Sequence, residues 1–497
     1  MNDTRPQTLG QLRQTDYRPR SVKAELRENL IARLRAGDDV FPGVVGYDQT
    51  VLPQIENALL SGHDFILLGL RGQAKTRLLR ALPALLDEAV PAIAGSPLNE
   101  DPLAPVTPEM RRRVEEEGDD LPLTWLTRED RYREKLATPD VTIADLIGDI
   151  DPIKAASRKL SFSDPEVIHY GIIPRTNRGI FAINELPDLQ ARIQVGLLNI
   201  LEEGDVQIRG FPVRLPLDVA MVFSANPEDY TNRGSIITPL RDRISSQILT
   251  HYPRTVEESR RITSQEAWTE RPGGIDVQVP EYLREALEEV AFRAREDDLV
   301  DQNSGVSARM TISLFENVLS NAERRAVRTG LARTVARVSD LGAASSAITG
   351  KVELVYEGER EGAAAVARHL TGKAVKKVFD ARLPDAYRVE SSSGGGEFKG
   401  VVEHFQGGKT LDLSDELTDD ELYERLTKVP GLESVATQFL GARGTAETAA
   451  AMEFVLDGLH QSALLAKDEI VGGRVYRDMF EDMVRTLEEP GAGGRQA

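Results

Sequence analysis

Apolar and polar positions change their spacing repeatedly along the first half of the chain, and this pattern predicts alternating helices and strands. Leucines recur every four residues within 22–35, which predicts a helix there. A second helix is expected over 49–60, and the short apolar run 65–68 then predicts a buried strand. A glycine-containing loop follows, and a third helix is expected over 75–89. Strand, loop and helix in this order open a βαβ unit.

Further apolar runs predict that this unit is the start of a larger sheet. Strands are expected over 124–126, 180–183 and 219–224, with helices between them, notably over 189–202. Buried strands that alternate with helices are typical of a doubly wound α/β fold with a parallel sheet. We place this α/β domain at 41–253.

Beyond Pro253 the strand signals stop and helical spacing dominates. We predict a helical lid domain over 275–385 and a C-terminal helical domain over 411–489. The segment 386–410 between them contains a run of serine and glycine, which is typical of a flexible linker. The residues 490–497 are predicted to be a disordered tail.

Two polar segments of the first half interrupt the helix and strand pattern. Residues 1–40 are predicted to hold a tail and one helix, and residues 1–20 are expected to be disordered because they are polar and show no periodicity. The segment 91–123 is rich in proline and in charged residues. We expect it to be an insertion that packs loosely on the surface of the α/β domain.

Charge and residue types exclude several kinds of chemistry. Lys and Arg number 61 against 80 Asp and Glu, which gives a net charge of −19 and argues against general nucleic-acid binding. The chain has no cysteine, which excludes disulfides and thiolate metal sites, and its six histidines are scattered. The front of the chain has no apolar run near the roughly 20 residues of a membrane span, and its N-terminus does not resemble a secretory signal. We therefore expect a cytoplasmic protein with no membrane insertion.

The strongest chemical signal is the loop that joins the strand 65–68 to the following helix. Its residues are Gly69, Leu70, Arg71, Gly72, Gln73, Ala74, Lys75 and Thr76. The spacing fits the phosphate-loop pattern G-x-x-x-x-G-K-[ST], except that Ala74 replaces the second glycine and disfavours a positive φ. Backbone N–H groups of such a loop face the phosphates of ATP. Lys75 can reach the β- and γ-phosphates, and the Thr76 hydroxyl can hold Mg²⁺.

Two more strands are expected to bring polar residues to the same edge of the sheet. Asn184 and Glu185 follow the strand 180–183, and Asn226 follows the strand 219–224. Ligands of α/β sheets bind at the carboxyl ends of the strands. Glu185 could polarise a water for attack on the γ-phosphate, and the amide of Asn226 could orient that water.

Taken together, these segments resemble the AAA+ ATPases, specifically the branch of the MoxR proteins and the magnesium chelatase I subunit. The Ala-Lys-Thr ending of the loop is similar to the MoxR variant. The segment 41–47 resembles the family segment beside the adenine pocket, which adds Val45 and Gly46 to the expected nucleotide contacts. The segment 177–180 resembles the chelatase lead-in to its second strand motif. The resemblance covers about 40–350 and implies a P-loop AAA+ domain followed by an all-α lid.

The same resemblance implies roles for two arginines. The segment 240–244 resembles the family's Leu-Asp-Arg-Phe segment, so Arg243 would be the arginine finger that reaches the nucleotide of a neighbouring subunit. The segment 305–309 resembles the sensor-2 segment of the lid, so Arg309 would contact the γ-phosphate in its own subunit.

One residue departs from the family pattern at the magnesium site. The expected magnesium-holding residues are Thr76, Asn184 and Glu185, but the family has Asp at the position of Asn184. An amide keeps an acceptor oxygen and loses the charge. We therefore expect nucleotide binding to be retained, and hydrolysis to be active but slow.

Three functions follow from the resemblance. The first is a Mg²⁺-dependent ATPase whose homo-oligomeric ring, a hexamer in the family, remodels a partner protein, commonly one with a von Willebrand A domain. The second, suggested by Asn184, is an ATP-binding scaffold with weak turnover. The third is a magnesium chelatase subunit that serves the metallation of a porphyrin.

Overall fold

The computed structural model describes residues 5–159, 167–208, 214–226, 235–387 and 396–479. Its contacts divide the chain into two compact units, Met1–Tyr252 and Pro253–Ala497. Each unit has its own hydrophobic core.

A five-stranded parallel sheet is the centre of the first unit. The described strands of this unit are β1 Phe65–Leu68, β2 Ala89–Ile93, β3 Leu123–Thr127, β4 Tyr132–Leu136, β5 Gly148–Ile150, β6 Ile168–Tyr170, β7 Gly179–Asn184, β8 Asp205–Gln207, β9 Arg214–Pro216, β10 Val219–Ala225 and β11 Ser246–Leu249. The central sheet has the order β11-β1-β10-β7-β4, and all its pairs are parallel. Since parallel neighbours need crossover connections, helices cover the sheet.

The helices of this unit lie on both faces of that sheet. The described helices are α1 Leu9–Arg13, α2 Val22–Ala36, α3 Val51–Leu60, α4 Lys75–Ala81, α5 Pro108–Glu117, α6 Ile143–Leu146, α7 Pro152–Arg158, α8 Ala191–Gly196, α9 Leu198–Glu203 and α10 Thr238–Arg243. Along β1, Phe65 and Leu67 enter the core that contains residues of α2, α3 and α4, whereas Ile66 enters the core that contains residues of α8 and α9. This alternation is the period of a strand buried on both faces, and it confirms the predicted doubly wound α/β fold.

The segments that we expected to be disordered or loosely packed form an ordered layer instead. Helix α1 buries Leu9 against Met110 and Leu121 of the 91–123 segment. The Trp125 indole N–H also donates to a backbone carbonyl at the start of the described chain, at 2.8 Å. The local sequence pattern does not reveal this layer, because the residues around α1 are polar and its apolar partners lie about a hundred residues further along the chain.

One helix and one strand of the first unit were predicted incorrectly. The helix expected over 75–89 ends at Ala81, followed by a short 3-10 turn that contains Pro83, and the chain then forms β2. The strand expected at 124–126 lies in β3, which pairs with β2 outside the central sheet. The central sheet instead takes β4, whose sequence YREKL is mostly polar and gave no apolar signal.

The second unit combines many helices with short strands. Its described helices are α11 Val256–Glu266, α12 Glu281–Ala294, α13 Arg309–Thr329, α14 Val338–Ala343, α15 Ser345–Thr349, α16 Tyr356–Glu361, α17 Ala363–Arg382, α18 Lys399–Gln406, α19 Asp419–Leu426, α20 Leu432–Leu440 and α21 Gly444–Gln461. Its described strands are β12 Asp276–Gln278, β13 Arg333–Val335, β14 Leu411–Ser414, β15 Leu465–Ile470 and β16 Gly473–Asp478. The predicted helical character is confirmed, but the expectation that strands stop after Pro253 was wrong.

An antiparallel sheet of the order β14-β16-β15 is the main unpredicted feature of this unit. One core extends from Leu314 of α13 through Phe405 of α18 to Tyr476 of β16. The segments predicted as a lid, a linker and a C-terminal domain therefore share one hydrophobic core. The second half of the predicted linker is helix α18, whose Val401 and Phe405 are fully buried. The serine-rich part of the linker and the predicted tail 490–497 fall almost entirely outside the described residues.

In the parts of the chain that the structure describes, none of the helices is both long and apolar enough to cross a membrane.

Candidate active site

The loop between β1 and α4 has the backbone shape that the phosphate-loop pattern requires. Gly72 has φ +74° and Ala74 has φ +56°, so both lie in the left-handed region. Ala74 immediately precedes the first residue of α4, Lys75, so the backbone turns there into the helix N-terminus. An L-residue in this region is strained by roughly 1–2 kcal/mol. The alanine that replaces the second glycine of the phosphate-loop pattern is therefore held in a strained backbone conformation.

Gly69 is required by close packing. A Cβ at this position would lie 1.9 Å from the Thr250 Oγ1 and 2.1 Å from the Gln73 Oε1. The Thr250 hydroxyl donates to Gln73 Oε1 at 2.7 Å, so the side chain of Gln73 ties the loop to the residue that follows β11. Gln73 is buried and braces the loop from inside.

Two tyrosine hydroxyls brace the same loop, and we did not predict either from the sequence. Tyr47 OH lies 2.9 Å from the carbonyl oxygen of Gln73 and 2.7 Å from that of His251. Tyr252 OH donates to the Arg71 carbonyl at 2.9 Å. Burial raises the pKa of Tyr47 to about 12, so its hydroxyl remains a protonated donor at neutral pH. Residues from the early part and from the end of the first unit, Tyr47 and Tyr252, therefore both hold the loop.

Val45 and Gly46 directly precede Tyr47. Gly46 has φ +80°, a conformation that favours glycine, and Val45 is half-buried. Because Tyr47 contacts the phosphate loop, the segment expected beside the adenine pocket is connected to the loop.

Lys75 lies at the centre of the site. Its side chain is buried, and its ammonium donates to the carbonyls of Gly69 and Leu70, the latter at 2.9 Å. It also donates to Asn226 Oδ1 at 2.6 Å. A cation held by backbone carbonyls and a neutral amide can transfer these hydrogen bonds to phosphate oxygens, which are stronger acceptors.

Asn226 connects Lys75 with Glu185. The Asn226 Nδ2 donates to Glu185 Oε2 at 2.8 Å. Glu185 follows β7 and Asn226 follows β10, and these strands are neighbours in the sheet. The structure thus brings together three of the predicted residues in one chain of hydrogen bonds, at the sheet edge where they were expected. Glu185 itself has φ +58°, a strained conformation that turns the chain sharply after β7.

Ser224 is a site residue that the sequence reasoning missed. Its hydroxyl donates to Asn184 Oδ1 at 3.1 Å, and its oxygen accepts the Glu185 backbone N–H at 3.4 Å. Ser224 and Asn184 are both buried. A single hydroxyl in the otherwise apolar strand VAMVFSA was the available signal.

The oxygen donors near the loop fit Mg²⁺ only in part. Thr76, in the first turn of α4, and Glu185 offer a hydroxyl and a carboxylate, which are hard ligands of the kind that Mg²⁺ prefers. The Oδ1 of Asn184 already accepts the Ser224 hydroxyl. Within the described part of the chain, no cluster of three or more acidic or histidine side chains could hold a metal ion. A magnesium ion at this site would therefore depend on Thr76, Glu185 and the phosphates.

The two arginines lie in different units. Arg243, at the end of α10, donates its Nε to Glu202 Oε2 at 2.6 Å and its Nη1 to the Pro239 carbonyl at 3.1 Å. Arg309 is exposed at the start of α13 in the second unit, where its backbone N–H donates to Ser307 Oγ at 3.1 Å. Arg243 is therefore paired within its own chain.

No protein-family model matches the chain. The magnesium-chelatase 38 kDa subunit of Cereibacter sphaeroides is 27% identical over 251 residues, which cover 48% of this chain and 69% of that subunit.

Solved structures with a similar arrangement include a cryo-EM-based model of the complex between subunits BchI and BchD of magnesium chelatase. Its match has 19% identity and a TM-score of 0.29, and covers 69% of this chain and 99% of that one. NtrX from Brucella abortus in complex with ATP matches with 12% identity and a TM-score of 0.34, covering 59% of this chain and 52% of that one.

The match to the chelatase subunit and the chain's own topology support the family resemblance. A parallel sheet of the order β11-β1-β10-β7-β4 has the phosphate loop after β1 and polar residues after β7 and β10. These features confirm the resemblance to the AAA+ ATPases of the MoxR and magnesium chelatase I type that was found in the sequence.

Proposed function

We propose that this protein binds ATP and Mg²⁺ at the phosphate loop, hydrolyses the ATP, and uses the energy to remodel or activate a partner protein. The observation that carries this proposal is the hydrogen-bonded chain from Lys75 through Asn226 to Glu185. It joins the expected phosphate-binding cation to the expected water-activating carboxylate.

The loop would bind the triphosphate through backbone N–H groups and Lys75. The positive φ angles at Gly72 and Ala74 favour a concave loop, and the N-terminus of α4 adds a favourable dipole. The Lys75 ammonium would exchange the amide oxygen of Asn226 for phosphate oxygens. Bound magnesium, held by Thr76 and Glu185, would neutralise charge on the β- and γ-phosphate oxygens.

Glu185 and Asn226 would prepare the attacking water. The carboxylate of Glu185 would accept a proton from water, and the Asn226 amide would hold that carboxylate in place through the bond that the two already make at 2.8 Å. Positioned proton transfer of this kind contributes roughly 10²–10⁴-fold to a rate.

Arg243 would complete the site of a neighbouring subunit. A trans arginine requires head-to-tail contacts, which close into a ring, by resemblance a hexamer. It would stabilise charge on the transferring phosphoryl group. Arg243 would first have to leave Glu202, an exposed partner whose ion pair is worth about 0–1 kcal/mol. By resemblance, Arg309 would contact the γ-phosphate in its own subunit.

ATP turnover tests the proposal. We expect measurable release of phosphate by the wild-type protein, loss of both binding and turnover in Lys75→Ala, and retained binding with lost turnover in Glu185→Gln. Lys409→Ala, at an exposed lysine of the second unit, is the control. Equal turnover in wild type and Lys75→Ala would end the proposal.

An ATP-binding scaffold is a second candidate, favoured by Asn184. Its neutral amide lacks the charge that the family's aspartate brings to magnesium, and its oxygen is bonded to Ser224. If the wild type drives assembly with nucleotide but shows near-zero turnover that Asn184→Asp does not change, the scaffold function is correct. Wild-type turnover that disappears in Glu185→Gln excludes it.

A chelatase subunit is a third candidate, favoured by the 27% identity to a magnesium-chelatase subunit. A porphyrin metallation assay with the cognate partner subunits decides this point. Metallation that depends on this chain supports the chelatase. Metallation that proceeds equally without it leaves a remodelling partner, by resemblance a protein with a von Willebrand A domain.

A further inference from the structure

Asn184 has two chemically different ends, and the structure distinguishes them. Its Oδ1 accepts the Ser224 hydroxyl at 3.1 Å. Across the described residues, the Asn184 side chain makes no other hydrogen bond, so its Nδ2 group is the end that remains available. In this state both N–H donors of the buried amide remain available, whereas one of the two lone pairs of its oxygen is already used.

The orientation of this amide is fixed by Ser224. The Ser224 oxygen already accepts the Glu185 backbone N–H at 3.4 Å. Its single proton is free to be donated, and among the residues that the structure describes, its acceptor is Asn184 Oδ1. Rotating the amide by 180° would point its N–H₂ group at the Ser224 oxygen and leave the Ser224 proton without its acceptor, which is unfavourable in a buried site.

Ser224 is also well placed to hold this arrangement. It lies on the central strand β10, is 1% exposed, and pairs in register with Leu67 of β1. Glu185 has a positive φ directly after Asn184, so the Ser224 hydroxyl contacts both the amide and the strained turn that directs the Glu185 side chain.

We propose that Ser224 is a positioning residue that keeps the Asn184 amide oxygen inside the sheet and turns the amide N–H₂ group toward the nucleotide site. This inference rests on the proposed function. It replaces the predicted role of Asn184 as a magnesium-shell acceptor with that of a hydrogen-bond donor to a phosphate oxygen or a water. The site would then depend less on Mg²⁺ for binding nucleotide than a site with a carboxylate there.

The test uses the fact that an amide has one oxygen and one nitrogen, whereas a carboxylate has two equivalent oxygens. Binding of a fluorescent ATP analogue is measured at equilibrium across a Mg²⁺ titration, without any need for hydrolysis. We expect Ser224→Ala to release the amide, allow its oxygen to face the metal, and lower the half-saturating Mg²⁺ concentration by about fivefold, the factor that one ordinary hydrogen bond contributes. Ser224→Thr, which retains the hydroxyl, should restore the wild-type value.

The same substitution is repeated with Asn184→Asp. A carboxylate has two equivalent oxygens, so we expect Asn184→Asp alone to lower the half-saturating Mg²⁺ concentration and Ser224→Ala to add less than a twofold change to it. The control is Ser259→Ala, which removes another buried serine hydroxyl, bonded to Glu288 at 2.6 Å in the second unit. It should leave the Mg²⁺ titration unchanged.

The outcomes separate this inference from the proposed function. If the wild type binds no nucleotide with or without Mg²⁺, the proposed function fails. If the wild type binds nucleotide but Ser224→Ala does not change the Mg²⁺ titration, only the role of Ser224 is overturned. The same holds if Ser224→Ala changes the titration equally in the wild type and in Asn184→Asp. Should Ser224→Ala not fold, Asn184→Asp decides alone, since an unchanged Mg²⁺ titration in that variant overturns the inference.

Discussion

At the scale of single residues, the sequence predicts which candidate reactive residues come together better than it predicts which residues hold them in place. Lys75, Asn226 and Glu185 were predictable because a spaced motif and the ends of apolar strands mark them. Tyr47 and Ser224 were not, because their importance depends on partners far away in the sequence. Tyr47 bonds a residue 204 positions away, for example, and no local pattern records such a contact. The residues that hold a candidate site in place are therefore harder to predict than the candidate residues that they position.

Ala74→Gly should stabilise the protein slightly. Glycine removes the left-handed strain of roughly 1–2 kcal/mol and adds unfolded-state entropy worth about 0.4–1 kcal/mol. The expected net gain is a few tenths to about 1 kcal/mol, measured by denaturant unfolding. The control Ala32→Gly, at an exposed position within α2, should cost roughly 1 kcal/mol. A comparable loss in both variants would show that Ala74 is unstrained.

Glu288 should make stability fall as the pH rises. Burial raises the pKa of this carboxyl above its ordinary 4.5, so the folded state binds the proton more tightly than the unfolded state. Stability from this group is then complete below pH 4.5 and is lost as the pH rises through the raised pKa.

Thermal unfolding across pH checks this expectation. Glu288→Gln should raise the melting temperature at pH 7.5 and leave it nearly unchanged near pH 4. Glu281→Gln, at an exposed glutamate of the same helix, should show no such pH-dependent gain. A Glu288→Gln variant that is less stable than wild type at pH 7.5 would contradict the expectation.

At the scale of elements, the predictions were correct where hydrophobic periodicity is local and wrong where burial is supplied from a distance. The apolar strands β1, β7 and β10 matched their predicted positions closely, because a strand buried on both faces is apolar throughout. Helix α1 and strand β4 were missed because one is short and the other mostly polar. Both are stabilised by neighbours that the local sequence does not reveal.

Leu9→Ala should weaken the layer formed by α1 and the 91–123 segment. Leu9 is completely buried against Met110 and Leu121, and removing such a leucine costs about 2–5 kcal/mol. Because this small core is separate from the main ones, we expect faster hydrogen exchange within α5. Leu34→Ala, at a leucine that is 41% exposed, should change exchange there very little. Unchanged exchange in Leu9→Ala would mean that the layer does not depend on α1.

At the scale of the whole molecule, the chain consists of two units with separate cores. Fragments 1–252 and 253–497 should each unfold cooperatively when produced alone, as followed by circular dichroism. A shorter fragment, 253–387, should not, because Phe405 and Tyr476 belong to the core that it would need. Cooperative unfolding of this shorter fragment would show that the predicted lid is stable by itself.

The strand order of the second unit has a consequence for synthesis on the ribosome. Strand β16 lies between β14 and β15, yet it comes last of the three in the chain. A nascent polypeptide from which β14 and β15 have already emerged therefore lacks the strand that joins them. Until β16 is made, Leu413 and Leu465 cannot form the core that they share with Tyr476. The second unit can complete its folding only after translation has passed residue 478, whereas the first unit can finish earlier.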